Sequence, residues 1–410
     1  MKFGLTYGPM CLTHRGTLEF AGHRQDPRGL TGSEIGFVRI CQELAALGHD
    51  VTAFTQSHET EYEGLKIRPL EARNESEFDV ALSINEPETL REMRAKVKGC
   101  EQWLNSFDYC AADVGSLVDV WISPSEAHRD FMLGSAHDTK MNGTGGTGTP
   151  FQPLAESWVA IPLGCDPERY DGIAEKVPGR VVYCSSPDRG LHWVLQEWPH
   201  IKRAVPHATL KIFYRLKPWL DAFKPQGRSP RLWFRPELDE YFAPTEPLLA
   251  RAHYIEQALK RMSGPEWGIT VCDSVCREQI EREMCEAEVL AFPVDTVRWS
   301  EGFSCTTLEA CAARACPVLW DCDAIGQVYG ESCDVQDRGD LKAWRVGVVR
   351  ALRDSVWRSG LNESGRALAE ELTWKNHVKK LVAVLTSRLP TSTSADESKT
   401  SSPNLAAASP

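Results

Sequence analysis

The chain has 410 residues, 42% of them hydrophobic and 25% charged, with 13 tryptophans. That length suits roughly two to three domains, and the composition excludes both a small single module and wholesale disorder. The net charge of −11 offers no general attraction to phosphate backbones or anionic lipid, so nucleic acid is not an expected partner.

In chain order, FGLTY (3–7), VTAF (51–54) and VALSI (80–84) read as short buried strands separated by helical patterns, the alternation that builds a parallel sheet covered by helices. Between the first two, Ile35, Val38, Cys41, Leu44 and Leu47 recur near helical spacing, with Ser33 as the expected cap and Gly48 as the stop. DVWISPSEAHRDFML follows as a strand through Trp121–Ser123 and a helix opened by Ser125. Residues 135–157 are rich in Gly and Thr and read as a loop insertion. Gly143, Gly145 and Gly148 formally spell a dinucleotide fingerprint there, but no strand precedes the string and Pro150 stands where a helix should begin.

After Pro162–Tyr170 the alternation restarts with RVVYC (180–184), a helix carrying Leu191, Val194, Leu195, Trp198 and Ile201, and LKIFY (210–214). Residues 216–250 show no clean period and receive no assignment. GITVC (268–272), a helix over 279–287, VLAFP (289–293), a helix from about Ser304 and PVLW (317–320) complete a second α/β series. Helical patterns fill 341–389, and the small, polar last stretch is expected to be disordered. The division expected is 1–165, a first Rossmann-like domain; 166–365, a second; 366–388, a C-terminal helix crossing back to the first; and 389–410, a tail. A hinge is expected near 163–179, with Trp374–Leu385 as a clamp.

Met1-Lys2 leads into a short apolar run ending at Gly8-Pro9 rather than into a secretory leader, and no stretch of about 18 apolar residues is present, so no transmembrane segment is expected and the chain reads as cytoplasmic. Fourteen cysteines in that setting are expected to stay reduced. The groups Cys272/Cys276 and Cys311/Cys316/Cys322 lack the paired spacing and neighbouring histidines of a zinc site, so no metal ligands are assigned.

Two facing α/β sheets place a ligand cleft at the carboxyl ends of their strands. Three segments there have the chemistry of anion and hydroxyl recognition. Gly32, in TGSE before the first helix, lets backbone amides approach a phosphate, although a simple cap explains the segment equally well. SSPDRG brings the Ser185 and Ser186 hydroxyls and Arg189, able to grip a diphosphate with two parallel bonds, to the mouth of another helix. In WSEGFSCTTLEACAARACPVLW, Glu301 and Glu309 are separated by seven residues, with Gly302, Phe303 and Ser304 between them. Glu309 lies on an otherwise apolar helix, where a carboxylate costs desolvation unless a partner such as a ribose diol meets it.

Together these segments resemble the retaining GT-B glycosyltransferases, family 4 in particular, whose paired glutamates in a pattern like EGFG...LEAMA.G.PV are similar to EGFSCTTLEACAARACPV, 301–318. TGSEIGFVRICQELAALGHDVTAFT, VWISPSE and IPLGCDPERY resemble further family segments, in the family's order, over roughly residues 2–385. The resemblance implies a GT-B fold of two Rossmann-like domains and an enzyme of hexosyltransferase type. It would move a sugar from a UDP- or GDP-sugar to a glycan, lipid-linked or small-molecule acceptor with retention and without a metal or other cofactor, the nucleotide sugar being a co-substrate. It also implies the roles: Glu309 on the ribose hydroxyls, Glu301 on hydroxyls of the donor sugar, and Arg189 in place of the family's diphosphate lysine. Gly32 would offer its amide to the diphosphate, and Ser186, Gly302, Phe303 and Ser304 would line the donor site. Attachment at a membrane surface stays open, since many relatives act there but no basic amphipathic anchor is evident.

The chain departs from the family in three places. Cys184, Ser185 and Ser186 stand where a second basic residue is usual, QWLNSFDYC (102–110) replaces a segment that often holds a histidine, with Asn105 or Asp108 nearby, and IPLG carries Leu163 in place of asparagine. Two other readings stand beside this one: a non-catalytic GT-B-like protein that binds nucleotide sugar or glycan, and a Rossmann oxidoreductase, which needs a glycine fingerprint in a strand-turn-helix setting.

Overall fold

The computed structural model describes residues 1–8, 20, 24–26, 30–56, 58–104, 112–135, 155–223, 245–297 and 299–390. The Gly143/Gly145/Gly148 string, most of the 135–157 insertion, Asn105, Asp108 and nearly all of the expected tail lie outside the described residues.

The first sheet comprises β1 (Lys2–Tyr7), β2 (Asp50–Thr55), β3 (Thr60–Tyr62), β4 (Leu65–Pro69), β5 (Glu77–Ile84), β6 (Arg94–Glu101), β7 (Val120–Ser123) and β8 (Trp158–Ala160), in the order β3-β4-β2-β1-β5-β6-β7-β8. Every neighbouring pair is parallel except β3 with β4. The second comprises β9 (Arg180–Tyr183), β10 (Thr209–Phe213), β11 (Ile269–Cys272), β12 (Val289–Phe292), β13 (Cys316–Asp321) and β14 (Asp334–Asp337), all parallel, in the order β11-β10-β9-β12-β13-β14. Val181, Val182 and Tyr183 of β9 and all four residues of β12 are buried, as continuous apolar runs must be in strands covered on both faces. Each sheet grows outward in two directions from a central pair, β1/β5 in the first and β9/β12 in the second, and loops leaving such a pair diverge and open a crevice.

Among the described residues the helices are α1 (Gly32–Ala46), α2 (Glu126–Ser135), α3 (Leu191–Ala204), α4 (Leu216–Ala222), α5 (Thr245–Arg261), α6 (Arg277–Glu286), α7 (Cys305–Ala312), α8 (Ile325–Tyr329), α9 (Leu341–Arg353), α10 (Ser355–Glu371) and α11 (Trp374–Thr386). None is long and apolar enough to cross a membrane. The described cysteines are free thiols.

Three expectations need correcting. Thr31, not Ser33, caps α1: its backbone is extended, its hydroxyl accepts from Glu34 N, and the Glu34 carboxylate accepts from Thr31 N at 2.7 Å. This reciprocal pairing satisfies two amide donors, whereas Ser33 is already helical. The unassigned stretch 216–250 has α4 at one end and the start of α5 at the other, because the buried stripe Ala252, Ile255 and Ala258 begins only beyond the window in which a period was sought. Strands β3, β4, β6, β8 and β14 had no sequence counterpart; β6, RAKVKGCE, is charged at four of its eight positions and buried chiefly at its end.

The chain returns to the first domain between α10 and α11, and α10 runs unbroken through position 366. Cys165 N donates to Leu372 O at 3.0 Å, and Trp374 N to Cys165 O at 3.2 Å. A Cβ at Gly164 would lie 2.2 Å from Trp374 N, so this crossing tolerates only glycine without movement. From there α11 packs on α1, with Trp374 beside Gly36. The buried His377 Nε2 pairs with Glu101 at 2.9 Å, and its Nδ1 meets Pro162 O at 2.8 Å.

Candidate functional site

The two loops that leave the central strands of the second sheet meet at its carboxyl edge. After β9, Pro187–Arg189 form a single 3-10 turn, and Gly190 has φ +118°, a left-handed conformation that favours glycine. A Cβ there would lie 2.1 Å from Pro293 O in the loop after β12, so the two loops are in direct backbone contact. This packing places the Arg189 guanidinium on the Glu301 carboxylate, 112 residues away in sequence, as an ion pair.

Glu301 is itself held from behind. Asp323, in the left-handed region at φ +57°, accepts from Ser300 N at 2.7 Å, Glu301 N at 2.9 Å and Thr296 Oγ1 at 2.9 Å. Burial raises the pKa of the Glu301 carboxyl, while Arg189 opposes the shift. Burial likewise disfavours the charge on Arg189, but Glu301 and Asp188 more than offset it and raise its pKa. The Ser186 hydroxyl donates to Asp188 and lies 3.5 Å from Tyr214 OH, and Ser186 O accepts from Tyr183 OH.

The run from Gly302 to Ser304 leads into α7. Ser304 caps that helix, accepting from Thr307 N, and its carbonyl accepts from Tyr329 OH at 2.7 Å. The Phe303 ring lies 5.9 Å from that of Tyr329. Opposite stands the first residue of α1: a Cβ on Gly32 would lie 3.7 Å from Cys305 Sγ, the first residue of α7. Two helix N-termini therefore face each other, each with unsatisfied amides and the positive end of its dipole. Paired in this way they favour an anion. Further along α7, Glu309 pairs with Arg277 Nη2 at 2.7 Å, and Arg277 also donates to Tyr170 OH at 2.7 Å. Arg277 thus meets the desolvation cost that Glu309 presents on an apolar helix.

The first domain supplies the opposite wall through α2. Ser125 Oγ donates to Gly302 O at 2.7 Å, and a Cβ on Gly302 would lie 2.5 Å from His128 Cδ2. His128 is fully buried, with Nε2 against Leu104 O and Nδ1 against Ser123 Oγ. Leu104 O can only accept, so Nε2 carries the proton in the neutral ring. Burial lowers the His128 pKa to about 4, against the pull of that carbonyl. Phe131 stacks on Trp299 at 4.3 Å, and Ala127 N donates to Gln327 Oε1 at 2.7 Å.

Among the residues singled out from sequence, Arg189 and Glu301 are in contact, Ser186 shares the turn with Arg189, and Gly302, Phe303 and Ser304 connect Glu301 to α7. Gly32 faces that helix from the other domain, and Glu309 lies on it. Sequence reasoning missed Asp323, Arg277 and His128. The Asp-Cys-Asp run that begins at the last residue of β13 and the histidine three residues beyond Ser125 were the available signals for two of them; Arg277 has none, standing in the highly charged CREQIEREM. No group of three or more His, Cys, Asp or Glu able to hold a metal ion occurs among the described residues. A cavity of about 650 Å³, lined by Arg39, Gln42, Tyr62 and Arg169 among others, shares no residue with this cluster.

No protein-family model matches the sequence, and no curated protein does. Solved structures match over nearly the whole chain. AviGT4, a glycosyltransferase involved in avilamycin A biosynthesis, superposes with a TM-score of 0.60 at 15% identity, covering 95% of this chain and 97% of that one. A sucrose-phosphate synthase from Thermosynechococcus elongatus gives 0.59 at 13% identity, with 94% and 98% covered. Anabaena HepE in complex with UDP-glucose gives 0.60 at 11% identity, with 94% and 100% covered. At such identities the shared feature is the fold, over nearly the full length of both chains.

Proposed function

We propose that this chain, whose two facing parallel-sheet domains form the GT-B fold, is a glycosyltransferase that takes a sugar from a UDP- or GDP-linked donor. The observation that carries the reading is the convergence of Arg189, Glu301 and the N-termini of α1 and α7, which brings cationic, hydroxyl-binding and anion-binding groups to one place between the domains. Two proteins of the same fold support it, the glycosyltransferase AviGT4 and HepE in complex with UDP-glucose.

In this reading the second domain holds the donor and the first domain offers the acceptor. Glu309 takes the ribose hydroxyls, and Glu301 takes hydroxyls of the donor sugar, its backbone held by Asp323 behind the loop. Breaking the glycosyl–phosphate bond builds charge on the leaving diphosphate. Arg189 and the amides facing Gly32 and Cys305 lie where they can neutralise that charge without reorganising, so the reading assigns this task to protein groups rather than to a metal. Transfer with retention follows if the acceptor attacks from the face that the diphosphate leaves, with the departing phosphate oxygen taking the acceptor's proton.

The test combines a thermal-shift panel of UDP, GDP, ADP and their sugar conjugates with donor turnover and NMR assignment of the product anomer. Selective stabilisation by one base is expected, together with turnover that falls about 10²–10³-fold in Glu301→Ala, the size of effect seen when a preorganised polar contact is removed. An absence of shift at millimolar nucleotide, or turnover unaffected by Glu301→Ala, defeats the reading. An inverted anomer defeats the retention part alone.

A further inference from the structure

We infer that Arg277 is a positioning residue for Glu309, holding its carboxylate in the orientation that a ribose diol needs; this deepens the reading of Glu309 given above and rests on it. Arg277 Nη2 meets Glu309 Oε1 at 2.7 Å, leaving Oε2 without a bond to any described residue. A carboxylate oxygen accepts two hydrogen bonds, so the vicinal hydroxyls of a ribose can still reach both oxygens while Arg277 remains in place.

Arg277 is not free to swing. Its Nε lies 3.0 Å from Glu281 Oε1, and its Nη2 also donates to Tyr170 OH at 2.7 Å. Glu281, with a side chain only 2% exposed, is gripped from the other side by Arg24 Nη2 of the first domain at 2.6 Å. The resulting chain Arg24–Glu281–Arg277–Glu309 alternates in charge and crosses from one domain to the other. Each member has a counter-charge, which offsets the desolvation of a set this enclosed. A guanidinium fixed at two of its nitrogens restricts Glu309 to few rotamers before any ligand arrives, and rotamer freedom lost in advance is not lost on binding. The other arginine of the same helix, Arg282, is exposed and has no part in the chain.

The experiment measures calorimetric affinities of UDP, GDP and ADP, each beside its 2′,3′-dideoxy form, for the full chain and for Arg277→Met, Arg277→Lys, Tyr170→Phe and Glu309→Gln. The wild type should prefer the ribo form of its nucleotide by about tenfold or more, an amount in keeping with one bidentate hydroxyl contact. Arg277→Met should lose that preference while binding the dideoxy form as the wild type does, and Arg277→Lys should recover part of it. Adding Arg277→Met to Glu309→Gln should cost nothing more. Tyr170→Phe, which removes one bond and leaves the ion pairs, should weaken the preference to a lesser degree and keeps the test available if Arg277→Met melts early. A preference preserved in Arg277→Met, or an equal loss for both forms of the nucleotide, overturns the inference alone. A wild type that binds nucleotide without preferring the ribo form, or binds none, overturns the assignment of Glu309 and the inference with it.

Discussion

Two of the junctions between the domains are built from different contacts, and the Arg24–Glu281 ion pair is a third. At the hinge, Cys165 exchanges backbone bonds with Leu372 and Trp374, Gly164 leaves no room for a Cβ, and a fully buried Glu101–His377 pair lies beneath. At the mouth of the cleft, the links are one hydroxyl on Gly302 O, one amide on Gln327 and the Phe131–Trp299 stack. A single hydrogen bond of this kind contributes about 0.5–1.5 kcal/mol net, and each mouth contact can break without disturbing the others. The hinge contacts share backbone and core, so none can be released alone. Opening at the mouth about an intact hinge, with release of the Arg24–Glu281 pair, is therefore the motion this architecture favours, and it is the motion that admits a ligand to the cluster around Arg189 and Glu301.

The sharpest way to break the comparison is Glu101→Ala, which leaves the buried His377 without its counter-charge and is expected to cost about 3–5 kcal/mol. Chemical denaturation checks this, and a loss below about 1 kcal/mol would mean that the hinge is no firmer than the mouth. Gly164→Ala should cost about 1–3 kcal/mol, since the backbone of Trp374 must move to accept the new carbon.

The junctions also respond oppositely to pH. Burial pushes the His377 pKa down, but Glu101 and the Pro162 carbonyl push it further up, so it lies above its ordinary value of about 6.5. The stabilisation it brings is complete below that value and is lost as pH rises through the raised one. His128 is held near 4 by burial, so its contribution is present above about 6.5 and is lost as pH falls toward 4. Melting temperatures from pH 4 to 9 should show His377→Gln flattening the alkaline limb and His128→Gln the acid limb; the same limb responding in both would contradict the assignment.

The smallest effect on stability is expected at the mouth. Ser125→Ala should cost about 1–2 kcal/mol, since its hydroxyl also accepts from His128 N at 3.0 Å and caps α2. Gly302→Ala sets a carbon 2.5 Å from the His128 ring and should bias the molecule toward an open form, visible as a larger radius of gyration in solution scattering. An unchanged radius would show that the mouth, like the hinge, absorbs strain without separating.

Legibility differed between the parts of the molecule. The stripe Val38, Cys41 and Leu44 was readable, and all three are buried, because a helix packed on a sheet imposes a 3.6-residue period on its own sequence. RVVY and VLAF were equally plain, since strands covered on both faces need uninterrupted apolar runs. Strand β6 was not read, although Arg94 to Lys98 alternate polar with apolar, because Ala95 and Val97 make too short an apolar face before Gly99 and Cys100 break the period. The Thr31 cap was missed by two residues, a distance at which Thr and Ser offer the same chemistry and only the backbone angles distinguish them.

What the sequence by itself determined is the two alternating α/β series, the positions of the principal helices and strands, and the residue types suited to phosphate and hydroxyl recognition, all of which depend on patterns within a few turns of chain. Only the tertiary structure decided which charges meet. Arg277 and Arg282 are five residues apart in one charged helix, yet one is locked between Glu309 and Glu281 while the other faces solvent. Arg189 finds Glu301, and Gly32 finds Cys305, because loops leaving the central strands of two sheets converge. Such pairings depend on distances between elements far apart in the chain, and the Coulomb and desolvation energies that select them arise only once those elements have packed.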